Sequence, residues 1–252
     1  MNIKHRILLP LLILSANLSF GHVADLTYSF DENTIYWPTE KGFSRQTVFY
    51  GKTKKGYFYS AFKFCAPEHG GTHVDAPRHF SVKGITVDEI LPQNLIGQAV
   101  VIDVSKKVNN NANYLISVAD VKAFEKQYRP LCSEDIVLFH TGWGRYWHDK
   151  KAYLGTAKFR DLQNLHFPGI SPAAAQYLLQ KNVKALGIDT ASMDAGVMHE
   201  HPVHQLFLAA NKYGIENVAH LNQLPTLGAK LIVAPMKIKG GSGAPARLLA
   251  TW

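Results

Sequence analysis

Glu68-His69-Gly70-Gly71-Thr72-His73-Val74-Asp75-Ala76-Pro77-Arg78-His79-Phe80 is the most informative segment of this chain. It sets three histidines and one aspartate within the eleven positions from His69 to His79. His69 and His73 stand four apart, a spacing that shares one face of a helix, but Gly70-Gly71 between them and Pro77 before His79 are wrong for a helix interior. A glycine turn instead folds the chain back so that separate side chains converge on one point. Imidazole and carboxylate together suit Zn²⁺, Mn²⁺ or Fe²⁺, and a carboxylate can bridge two ions. One His beside an Asp is ordinarily a hydrogen-bonded pair. Three His and an Asp packed round Gly-Gly-Thr point to a metal site. Such a site is catalytic when three protein ligands leave room for a water, whose pKa the cation lowers to about 7. Histidine, with an unperturbed pKa near ~6.5, is also suited to carry the proton. The segment therefore holds ligands and a spare imidazole.

The same segment resembles the signature His-x-Gly-Thr-His-x-Asp-x-Pro-x-His of the metal-dependent cyclase-like hydrolases, which include bacterial-type kynurenine formamidases (arylformamidases) and isatin hydrolases. Every fixed position matches. The resemblance implies that His69, His73 and Asp75 are metal ligands, with Asp75 bridging when two ions bind, and that His79 is the catalytic proton donor and acceptor. It extends over most of the chain. Asp25-Leu26-Thr27 and Tyr36-Trp37-Pro38 look like the family's opening segment, in which the tryptophan before proline (here Trp37) lines the substrate pocket. Gly187-Ile188-Asp189-Thr190-Ala191-Ser192-Met193-Asp194 and Met236–Pro245 look like its later segments. Beyond Asp194 the family places a His, and twelve residues later a Glu, as ligands of a second metal. His204 and Glu216 have that separation, while His199 and His201 are alternatives for the histidine. His199-Glu200 does not open a zincin motif, because Val203 stands where its second imidazole would be. Isatin hydrolases carry Gln at the position of Glu216 and bind one ion, so the carboxylate here favours a second.

The fold so implied is a mixed α/β single domain, with a central β-barrel-like mixed sheet and surrounding helices. The implied cofactor is one or two divalent ions, zinc or manganese. The implied activity is hydrolysis of a carbon–nitrogen amide bond in a small aromatic substrate: N-formyl-kynurenine as in arylformamidases, or alternatively the cyclic amide of isatin or a related lactam. A metal-bearing binding protein without turnover is the reading from another class, and it would not require His79. Family members are commonly homo-oligomers, often with pocket residues from a neighbouring chain, so the resemblance implies a dimer or tetramer.

Outside these motifs the chain is ordinary in composition. It has 252 residues, 46% apolar and 18% charged, which excludes a disordered or low-complexity protein. Lys4, His5 and Arg6 precede the apolar run Ile7–Phe20, and Ser19-Phe20-Gly21 offers small residues at −3 and −1 of a cut before His22. That pattern is a secretory signal peptide over residues 1–21 followed by a domain over 22–252, exported to the periplasm or secreted. The run is shorter than the ~20 residues that span a bilayer, so no stable membrane insertion is expected after cleavage. Loss of Lys4 and Arg6 takes the formal charge of +8 to +6. No dense Lys/Arg block or aromatic-interleaved basic stripe is present, which argues against nucleic acid as a partner. Cys65 and Cys132 can pair in an oxidising compartment, or serve as two small buried hydrophobes.

Local pattern gives β-like segments at Tyr57–Cys65, Ala99–Val104, Ile136–His140, Val183–Ile188, Lys230–Lys239 and Arg247–Thr251. Ser117-x-x-Asp120 opens a helix as a capping box, and Ser171-Pro172 starts another. Val203–Tyr213 reads as a helix closed by Gly214, and Gly240–Gly243 as a hairpin turn or an anion-binding nest.

Overall fold

A computed structural model describes residues 21–109 and 111–252. The expected signal peptide therefore lies outside the described residues, apart from Gly21. In chain order the strands are β1 (Val23–Asp25), β2 (Ser44–Lys52), β3 (Phe58–Cys65), β4 (His73–Asp75), β5 (Ile96–Asp103), β6 (Leu115–Ile116), β7 (Asp135–His140), β8 (Gly169–Ile170), β9 (Ala185–Ile188), β10 (Tyr213–Glu216), β11 (Ala229–Pro235) and β12 (Gly243–Thr251). The helices are α1 (Ser105–Val108), α2 (Val118–Gln127), α3 (Lys150–Leu154), α4 (Pro172–Gln180) and α5 (Pro202–Ala209).

The main sheet runs β12-β11-β5-β7-β9-β10-β4 and closes because β4 also pairs with β12. β1 is added outside the ring, antiparallel to β12. The middle of the sheet, β5-β7-β9-β10, is parallel, and β4, β11 and β12 are antiparallel to their neighbours. This is the mixed α/β single domain with a barrel-like centre expected from the sequence. The strand pleat explains the two cores. Val100, Ile102, Val137 and Phe139 face outward and pack with Val121, Phe124, Leu178 and Phe207 of α2, α4 and α5. The alternate residues Ala99, Val101, Ile136 and Leu138 face inward and meet Val74, Ile215, Leu231 and Leu248 from the other strands. Strands covered on both sides read as continuous apolar runs, which is why β7 and β9 were visible in sequence.

The helix starts follow their signals. Ser117 Oγ accepts from Asp120 N, and the Asp120 carboxylate accepts from Ser117 N at 2.7 Å. Ser171 caps α4 by accepting from Ala174 N, with Pro172 in the first turn. One expectation is corrected. The helix read as Val203–Tyr213 ends at Ala209, Asn211 turns the chain at φ +56°, and Tyr213–Glu216 is a buried strand. Gly214 is thus not a helix terminator. It lies in β10, where an added Cβ would sit 2.6 Å from the Met193 side chain. The closing strand also begins earlier than expected, at Gly243, because its first residues pair with β4, Gly243 opposite Asp75. Gly240, at φ +75°, makes the turn between β11 and β12.

The β2–β3 hairpin is a separate two-stranded sheet standing off the barrel. Its aromatics are exposed, Tyr50 at 69% and Phe58 at 60%. Tyr50 packs on Phe58 and Phe62, and the Arg45 guanidinium lies over Phe62 at 4.6 Å. Cys65 and Cys132 are both exposed free thiols. No helix among the described residues is long and apolar enough to cross a membrane.

Candidate active site

The glycine turn before β4 sets the site. Gly70 (φ +150°) bridges to Tyr36, and a Cβ there would fall 2.1 Å from the Tyr36 ring, so only glycine fits. Gly71 (φ +57°) then delivers the chain into β4, which lies between β10 and β12 and carries His73 and Asp75. Pro77 opens a short 3₁₀ turn that ends at His79. His204 lies in the first turn of α5, and Glu216 at the end of β10 faces His73 in register.

These side chains meet. Asp75 Oδ1 lies 2.6 Å from His69 Nδ1 and 3.1 Å from His73 Nε2, and Asp75 Oδ2 lies 3.1 Å from His204 Nε2. Glu216 stands 3.5 Å from His73 Nε2 and 3.1 Å from His204 Nε2, and its Oε1 accepts from Met193 N. The far nitrogens are tied off. His73 Nδ1 donates to the Gly71 carbonyl at 2.9 Å, and His204 Nδ1 lies 2.6 Å from Asp194 Oδ2. Asp194 is itself held by Val203 N and His204 N at the start of α5. Each imidazole therefore turns its remaining nitrogen toward two buried carboxylates.

The electrostatics show what the cluster lacks. Burial alone would lower His73 and His204, but the carboxylates outweigh it: His73 rises to about 9 and His204 goes well above the ordinary histidine value. Burial and the neighbouring Asp75 raise Glu216. Burial opposes ionisation of Asp75, but His73 and His69 hold it well below the usual carboxylate range. Two buried acids at one point demand positive charge, from extra protons on the imidazoles or from a cation. His73 Nε2 is buried and makes no hydrogen bond of acceptable geometry, although both carboxylates are near. A nitrogen aimed between two carboxylates can hold a proton there or give its lone pair to a cation. Two groups of ligand atoms, His69-His73-Asp75 and Asp75-His79-His204, each lie within 4.8 Å of one another and share Asp75. The residues present therefore fit a divalent cation.

His79 differs from its neighbours. Its ring stacks on His69 at 3.7 Å and meets Phe80 edge-on. Burial, reinforced by the surrounding imidazoles, pushes it down to about 4. Among the described residues no side-chain hydrogen bond fixes which nitrogen carries its proton.

His69, His73, Asp75, His79, His204, Glu216 and Trp37 all line one cavity of about 290 Å³. Trp37 forms part of its wall, edge-on to Phe167 and 5.7 Å from the His201 ring. Of the alternatives to His204, His201 lines the cavity as well, its Nδ1 buried without a partner, whereas His199 is exposed. Sequence reasoning gave no role to Asp194 or to Asn217. Asn217 donates to the Gly71 carbonyl and accepts from the Tyr153 hydroxyl, bracing the turn that holds His73. Asp194 carried a signal, an acid in the apolar setting Met193-Asp194-Ala195 just before the histidine loop.

Comparison with known proteins gives the family and the fold. The Cyclase family model matches residues 24–195. An isatin hydrolase of Roseibium aggregatum is 35% identical over 73% of this chain and 71% of its own. A kynurenine formamidase of Geobacillus thermodenitrificans is 25% identical over 88% of this chain and 94% of its own. Among solved structures, isatin hydrolase A from Ralstonia solanacearum superposes with a TM-score of 0.84 and 33% identity, covering 92% of both chains.

Proposed function

The chain belongs to the Cyclase family of hydrolases, and from that membership we propose that it hydrolyses the bond between a carbonyl carbon and an aniline-type nitrogen in a small aromatic molecule, with the cyclic amide of an isatin-like ring as its substrate. The observation that carries this reading is the set of tethered imidazoles facing Asp75 and Glu216 on one side of an aromatic-walled cavity. The 35% identity to an isatin hydrolase, against 25% to a kynurenine formamidase, supports placing the cyclic amide first. Glu216 favours a second substrate of the same chemistry, N-formyl-kynurenine, because the resemblance places Gln there in isatin hydrolases.

His69, His73 and Asp75 would hold one cation, zinc or manganese, and His204 and Glu216 with Asp75 a second. Such a cation supplies Lewis acidity to the amide carbonyl and acidity to a water. The chain's own groups do the rest. Trp37 packs on the aryl ring. His79, neutral and with neither nitrogen committed, takes a proton from the attacking water and returns it to the departing nitrogen. Water oxygen is thereby bonded to the carbonyl carbon, and the carbon–nitrogen bond breaks to give an arylamine and a carboxylate. Incubating the Mn²⁺- or Zn²⁺-loaded protein with isatin and with N-formyl-kynurenine, before and after chelation, tests the reading. Isatinate or formate should appear and stop on chelation. Tight binding of both compounds without product would mark a binding protein instead.

A second copy of this chain is the partner that the β2–β3 hairpin fits. The arm carries Arg45, Lys52, Lys54, Lys55 and Lys63 and no acid, while Asp31, Glu32 and Glu40 lie exposed in the segment before its root. Laying the arm of one copy along that segment of the other, about a two-fold axis, opposes these charges and covers the aromatics. Export, with the mature chain beginning at His22, completes the proposal, and mass spectrometry of the exported protein checks it.

A further inference from the structure

Two imidazoles of the cluster are tied by groups whose roles are unambiguous, a carbonyl for His73 and a carboxylate for His204. The third, His69, is tied by a hydroxyl, which can donate or accept. His69 Nε2 lies 2.9 Å from Ser242 Oγ. Ser242 Oγ in turn lies 2.6 Å from Glu68 Oε2, and the same oxygen accepts from Ser242 N at 2.9 Å. A hydroxyl has one proton. A carboxylate only accepts, so the serine proton goes to Glu68 and the serine oxygen is left to accept. Among the described residues the donor offered to it is His69 Nε2–H. Nδ1 is then the nitrogen left to the Asp75 side, where it shares a proton with Asp75 Oδ1 at 2.6 Å and would give its lone pair to a cation that took the proton's place.

The loop that brings Ser242 here is fitted closely to these groups. A Cβ on Gly243 would lie 2.5 Å from His69 Cε1 and from the Val74 carbonyl, and one on Gly241 would lie 3.0 Å from Glu68 Oε1. The Gly240–Gly243 segment is the expected hairpin turn between β11 and β12, and two of its N–H groups, those of Gly240 and Ser242, donate to the Asp88 and Glu68 carboxylates.

We propose that Glu68, acting through the Ser242 hydroxyl, is a positioning residue that fixes the tautomer of His69, so that Nδ1 rather than Nε2 is presented to the cation. The proposal rests on the reading that this cavity holds a cation. It makes a loop remote in sequence from the histidine motif part of the same site. A partner of this kind, one bond beyond a metal-binding histidine, alters metal affinity roughly 10–100-fold when removed.

The test is calorimetric titration of the full chain with Zn²⁺, comparing wild type with Ser242→Ala, Ser242→Thr and Glu68→Gln, and long-range ¹H–¹⁵N spectra of the histidines. Ser242→Ala keeps the Glu68 charge, so it isolates the hydrogen bond. Glu68→Gln offers Ser242 a donor and lets the serine proton turn toward His69. In wild type the zinc-loaded spectrum should show His69 protonated at Nε2. Ser242→Ala and Glu68→Gln should each weaken Zn²⁺ binding about 10–100-fold, and Ser242→Thr should bind as wild type does. Ser242→Ala that melts with wild type yet binds Zn²⁺ equally well would overturn the proposal while leaving the cation site intact. A zinc-loaded His69 found protonated at Nδ1 would overturn it as well. Wild type that binds no cation at all would sink both this inference and the function it rests on.

Discussion

At His79 the chain leaves an imidazole without a committed proton, whereas the other imidazoles of the cluster are each held by an outer partner. On the proposed reading, that contrast divides the proton carrier from the ligands. Replacing His79 by Ala should lower kcat about 10²–10⁴-fold with the metal content unchanged, as elemental analysis of the purified variant would show. Asp194→Asn should do the reverse. His204 loses its carboxylate partner, so metal affinity should fall about 10–100-fold, and excess cation should recover much of the rate. The motif residues were legible because their spacing and glycine context are properties of one short segment. Asp194, Asn217 and Ser242 were not, because each acts through a partner in another segment: Asn217 holds Gly71, and Ser242 holds His69.

Elements were legible where one local signal decides them. The Ser117/Asp120 box and the Ser171-Pro172 start are such signals, and both helices begin as expected. The boundary between α5 and β10 was not, because Val203 to Tyr213 keeps a helical apolar pattern while the tertiary fold needs Tyr213–Glu216 as a strand beside β4 and β9. Asn211, which tolerates the left-handed region, was the punctuation that the apolar pattern hid. A prediction belongs to the capping box. Asp120→Ala should cost about 1 kcal/mol in urea unfolding at neutral pH. Burial opposes ionisation of Asp120, but hydrogen bonds from Lys107, Ser117 and Tyr114 hold its pKa below the ordinary carboxylate value. A carboxylate lowered on folding stabilises fully above its unfolded pKa and loses that contribution as pH falls through the folded one. The gap between wild type and Asp120→Ala should therefore be constant from pH 7 to about 5 and narrow below about 4.

On the scale of the whole molecule, the closed ring of strands follows from pairing that no local pattern encodes. β4 is only three residues long, and it closes the barrel by pairing with both β10 and β12. Of the β2–β3 arm only the second strand was legible, as the aromatic run Tyr57–Cys65; β2 and the projection were not, since apolar alternation alone does not say what covers each face. An isolated two-stranded ribbon is marginal in water. Replacing Tyr50 and Phe62 together by Ser should turn the proposed dimer into a monomer in sedimentation velocity. A wild type that already sediments as a monomer would remove the second copy as the arm's partner.

The bond from Ser242 to Glu68 joins groups 174 residues apart, and that from Ser242 to His69 spans 173. Loops of that length close late, since their entropy is lost before any contact repays it. Ser242 adjoins Gly243, which pairs with Asp75 where β12 meets β4, so the residues that would hold an ion come together as the barrel closes. Metal offered early meets scattered histidines and acids, and metal offered late meets a finished coordination sphere. Refolding from urea with Zn²⁺ withheld until the barrel has formed should give a higher yield of active protein than refolding with Zn²⁺ present from the first second.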